Sequence, residues 1–140
     1  MGENMVHIWR HTNLNAVCFS LMILVLFAGC RESGPRAYHV SGSVTFEGQP
    51  VPAGTVLFQP DESKGCSGPA GLARIHEGKY DTAGPGGKGV VGGAHLVRII
   101  GLDGKPVEMA PDGVPLFPDY TTTVDLAMED SEHDFAVTGD

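Results

Sequence analysis

Positive charge, cysteine and long apolar runs are all scarce in this chain of 140 residues, and each scarcity excludes something. No apolar run reaches the roughly 20 residues that a helix needs to cross a bilayer core. There are 3 cysteines and no CxxC pair, which removes thioredoxin-like redox chemistry and zinc ribbons. Lys and Arg number 9 against 17 Asp and Glu, a net charge of −8. Such a balance argues against nucleic acid, which gathers Lys and Arg clusters. It also argues against a polybasic grip on anionic lipid. The plain consequence of the acidity is solubility.

Catalytic signatures are missing as well. Zinc catalysis needs three side-chain ligands and an open position, yet there is no HExxH, and His39, His76, His95 and His133 fall on four separate predicted elements. There is no G-x-S-x-G elbow for a nucleophilic serine, and Cys66 has no neighbouring histidine. The glycine-rich stretch around Lys88 is not a phosphate loop, because Thr82 occupies the first glycine position and Gly89 the hydroxyl position. The acidic group Asp125, Glu129, Asp130, Glu132, Asp134 and Asp140 lacks EF-hand spacing, and its Glu129–Glu132 stretch reads as a solvated turn. The chain is therefore read as non-catalytic, with no metal and no cofactor expected.

What the sequence does have is an address. Residues 16–29 are uncharged and apolar, with Arg10 before them and the small residues Ala28 and Gly29 at their end. That is the length and flanking of a helical signal-peptide core. Leu26-Phe27-Ala28-Gly29-Cys30 resembles the lipobox of bacterial lipoproteins, although Phe27 stands where an aliphatic residue is usual. The resemblance implies cleavage between Gly29 and Cys30 and lipidation of Cys30. It also implies delivery of the rest across a membrane, to an extracytoplasmic, membrane-anchored site. Arg31 stands where an Asp would favour inner-membrane retention in enterobacteria, which leans towards the outer membrane. Myristoylation at Gly2 fails, because Val6 stands where that motif needs Ser or Thr. The expected division is a signal peptide over 1–29, the lipidated Cys30 and a polar tether over 30–37, and one domain over 38–140.

That domain reads as strands. Tyr38, Val40, Gly42, Val44 and Phe46 alternate with His39, Ser41, Ser43 and Thr45, the period of a half-buried antiparallel strand. Further strands are expected at 55–59, 70–75, 79–82, 94–100, 121–128 and 133–138, with 70–75 and 79–82 joined as a tight hairpin around His76-Glu77-Gly78. Val124, Leu126 and Met128 are expected to point inward on the sixth, Phe135 and Val137 on the seventh. No 3.6-residue apolar period follows residue 30. About seven short strands imply an all-β, antiparallel β-sandwich; a small barrel uses the same pattern.

Val40 to Phe58, with its turn Glu47-Gly48-Gln49-Pro50, resembles the opening of a carboxypeptidase-regulatory-like, or transthyretin-like, domain. Gly78-Lys79-Tyr80, Gly93 to Ile99 and Pro115 to Tyr120 resemble later segments of small bacterial lipoproteins built from it, with His95 replacing the usual aromatic residue. The resemblance implies an immunoglobulin-like sandwich serving as a structural or interaction module of the cell envelope. The alternative is a carbohydrate- or peptide-binding domain using the long loop 103–120. There Phe117 and Tyr120 are the candidate contacts, and an envelope protein or glycan the partner. The expectation for that loop is packing over an open end of the domain rather than exposure.

Overall fold

The computed structural model describes residues 34–139. The expected signal peptide and the site at Gly29 and Cys30 lie outside the described residues. The rest is all-β. Nine strands run β1 (Val40–Phe46), β2 (Gln49–Pro50), β3 (Ala53–Pro60), β4 (Gly71–His76), β5 (Lys79–Asp81), β6 (Gly93–Leu102), β7 (Tyr120–Leu126), β8 (Ser131–Glu132) and β9 (Phe135–Val137). One turn of 3-10 helix, Glu62–Lys64, follows β3.

The sheet order is β2-β1-β5-β4-β3-β6-β7, antiparallel throughout, with β8 and β9 joined in parallel to β1. These strands form one hydrogen-bonded path rather than two separate layers. β1 serves both its ends: Ser41–Ser43 pair with β5, while Thr45 and Phe46 pair with β2. The parallel pairing of β8 and β9 departs from the wholly antiparallel expectation, and its cause is the route of the chain. Only residues 127–130 separate β7 from β8, which bounds the distance from Leu126 to Ser131 at about 18 Å. In a flat sheet those strands would lie six spacings apart, about 29 Å. The sheet therefore curls into a half-barrel, bringing β8 towards the β7 side.

The curl encloses the core. Val40 and Val44 of β1, Val56 and Phe58 of β3, and Val97 and Ile99 of β6 are all fully buried. Tyr80, Leu126, Phe135 and Val137 close around them. Alternation reads these positions correctly on β1 and β9. It fails at Met128, which is 76% exposed because β7 stops at Leu126 and the chain turns. It also fails to divide the last element, where His133 and Asp134 interrupt the pairing between β8 and β9.

Two glycines are required by geometry. Glu77 and Gly78 both take positive φ, 49° and 76°, the signature of a type I′ turn, so β4 and β5 join through two residues. A Cβ at Gly78 would also sit 2.6 Å from Pro50 Cβ. At Gly42, φ is 157° and a Cβ would collide with the carbonyl of His133, so only glycine lets the β8–β9 segment lie against β1.

Candidate functional site

A hollow of about 550 Å³ lies across β3, β4 and β5. Ala53 and Gly54 of β3 leave the room, Gly84 and Pro85 form one wall, and Asp112 reaches in from the long loop. Strand alternation explains its polar lining. Ala73 and Ile75 of β4 are buried, so Arg74 and His76 project outward, and β5 adds Lys79 directly opposite His76. Asp81 completes the lining, but its carboxylate already accepts from the Ala83 N–H at 2.7 Å. Arg74 meets Asp112 at 3.7 Å across the opening, both side chains being more than half exposed. The site can therefore make charge-assisted hydrogen bonds. Arg74 and Lys79 are the cations, and they occur together, with the His76 ring beside them, in an otherwise acidic chain. Sequence reading missed this cluster: alternation places Arg74 and His76 on one face, but Asp112 joins them only through the course of the loop.

That loop, residues 103–119, is a folded arm. Asp103 organises it, its Oδ1 accepting from the N–H groups of Lys105 at 3.0 Å and Val114 at 3.1 Å. These bonds hold the Asp103 carboxyl below the usual carboxylate range, the Lys105 N–H contributing most. Val107 and Ala110 exchange backbone bonds to make a small tip on which Met109 is 98% exposed with φ 68°. Phe117 turns the other way. It is 8% exposed, and its ring centroid lies 4.8 Å from that of Phe46. It offers no open face for stacking on a sugar. Tyr120, at the start of β7, is half-buried against the same core. The loop thus covers one end of the half-barrel with Phe117 and extends Met109 away from it.

The acidic segment proves to be a set of clamps on β1. Asp130 Oδ1 accepts from the His39 N–H at 2.8 Å, and Asp134 Oδ1 accepts from both the N–H and the hydroxyl of Ser43 at 2.6 Å. The Ser43 hydroxyl is the main cause holding Asp134 below its ordinary range, helped by the Ser43 N–H, Lys79 and His133. Tyr80 reinforces the clamp from inside, its hydroxyl donating to the His133 carbonyl at 2.6 Å. Burial pushes the Tyr80 phenol well above its usual value, and the charges of Asp134 and Glu132 add to this.

The four histidines are dispersed. His39 and His76 are exposed, His133 stacks on Phe135, and His95 is fully buried on β6. The His95 Nδ1 lies 2.9 Å from the Gly93 carbonyl, and its Nε2 has no partner. Cys66 is a free thiol whose sulfur accepts from the Ala94 N–H at 3.3 Å. Among the described residues no three His, Cys, Asp or Glu side chains converge as metal ligands, and no histidine pairs with a carboxylate. Set beside known proteins, the chain matches no family model and no curated relative.

Proposed function

We propose that this chain is a lipid-anchored, extracytoplasmic β-module of the cell envelope that acts by contact rather than catalysis. The observation that carries the reading is the apolar run ending at Gly29-Cys30, followed within eight residues by the first pairing among the described residues, Tyr38 with Val90. Eight residues reach at most about 29 Å. A lipid on Cys30 would hold the Tyr38 end of the sheet within that distance of the membrane surface. One acyl chain binds marginally, whereas several anchor stably, so a triacylated Cys30 needs no membrane-spanning helix. The resemblance to transthyretin-like domains supports a finer assignment: the two flanks of the curl, β5-β1-β9 and β3-β6-β7, would correspond to the two layers of such a sandwich.

Cys30→Ser tests the anchor. The expected outcome is an unprocessed precursor or a domain released from membranes, read by intact mass and detergent partitioning. Unchanged mature mass and unchanged membrane fractionation would refute it.

The second reading, binding of a glycan or peptide beside the long loop, is favoured by the hollow that Asp112 shares with Arg74, His76 and Lys79. It does not run through Phe117, whose ring is buried.

A further inference from the structure

The curled sheet ends differently on its two sides. β7 is a terminal strand of seven residues, and among the described residues its far side makes no backbone hydrogen bond. Long, regular strand edges template pairing with another chain, and proteins usually blunt them with lysine, proline or a bulge. The run Tyr120-Thr-Thr-Thr-Val-Asp-Leu126 contains no lysine and no proline, and its register with β6 is unbroken from Tyr120 to Leu126. The core is also unfinished along this strand. On β6, His95, Val97 and Ile99 are 0% exposed, while their partners on β7, Val124, Thr122 and Tyr120, are only half-buried. A further strand laid along β7 would cover them.

We infer that this strand is a second β7: two copies of the chain pair edge to edge, antiparallel, about a two-fold axis at Thr123. The sequence of the strand selects this occupant. Centred on Thr123, the pairing sets Thr122 opposite Val124 of the second copy, Thr121 opposite Asp125 and Tyr120 opposite Leu126. These are β-branched and aromatic–aliphatic pairs of the kind that stabilise antiparallel ladders. Asp125, the lone charge in the strand, meets a hydroxyl rather than its own copy. Such an interface is isologous and closes at two, so the product is a dimer with one continuous sheet rather than a fibre. Each copy carries a net charge of −8, so long-range repulsion opposes association and salt screens it.

The test uses the full chain in detergent with Cys18, Cys30 and Cys66 all replaced by Ser, so that the introduced cysteines are the only thiols. Thr123→Cys should form a disulfide between copies under mild oxidation, because residues facing one another across an antiparallel pair lie within disulfide reach. Thr121→Cys should cross-link at least tenfold less, and Thr121→Cys with Asp125→Cys should restore linkage, mapped by mass spectrometry to 121 with 125. In parallel, sedimentation of the uncross-linked protein should show a dimer that tightens with NaCl. Thr123→Lys, on an exposed position where folding tolerates it, should weaken that dimer at least tenfold. A monomer at every concentration, equal cross-linking at 121 and 123, or a dimer indifferent to Thr123→Lys would each overturn the inference. So would a monomer whose β7 is occupied by a different protein.

Discussion

The two edges of this sheet solve the same problem in opposite ways. On the β9 side the edge is two stubs, of two and three residues, fastened to the β1 segment by the carboxylates of Asp130 and Asp134 and to β5 by the Tyr80 hydroxyl. Phe135 packs behind them, its ring near those of Phe58, Tyr80 and His133. On the β7 side the strand is longer and more regular, but among the described residues nothing clamps it from beyond and its inner face stays half-open. The lesson is that two of the chain's 17 acidic side chains, Asp130 and Asp134, are structural where the edge is short. Where the edge is long carboxylates are sparse, and the backbone itself is on offer.

Three substitutions sharpen that contrast. Phe135→Ala should cost most, about 3–5 kcal/mol, because it empties an aromatic cluster on the sealed side. Val124→Ala on the open side should cost about 1 kcal/mol, since a half-buried valine loses little contact. Chemical denaturation of the pair measures the gap, and equal costs would remove the distinction. Next comes Tyr80→Phe, which keeps the ring but leaves the part-buried His133 carbonyl without its donor. The expected loss is about 1–2 kcal/mol.

The smallest effect is on acid stability. The Asp134 carboxyl is held low by Ser43, so it contributes stability above the unfolded value of about 3.9 and loses it as pH falls through its folded value. Asp134→Asn should therefore lower Tm near neutral pH and show a shallower fall in Tm between about pH 5 and pH 3. Parallel curves for the two proteins would contradict the clamp.

Much of the sheet was legible in advance because its physics is local. Alternation at Val40, Val44, Phe135 and Val137 follows from the two-residue period of a strand, and Glu77-Gly78 announces its own turn. What stayed hidden depends on residues far apart in the chain. Asp134 and Ser43 are separated by 91 residues, and a carboxylate serving as a backbone clamp looks, in sequence, like any solvated acid. The burial of Phe117 against Phe46 required the path of the long loop. The same path brought Asp112 to Arg74. The parallel joining of β8 and β9 to β1 follows from the curl, which no single segment encodes.

Amide hydrogen exchange across β7 and β9, followed as a function of protein concentration, tests the contrast between the edges most directly. The account predicts that β9 and its β1 partners are protected at every concentration. In β7, alternate amides, those turned away from β6, should exchange freely when the protein is dilute and become protected as it is concentrated. Edge-facing β7 amides that are equally protected at all concentrations, or a β9 that exchanges as fast as a free strand, would contradict it.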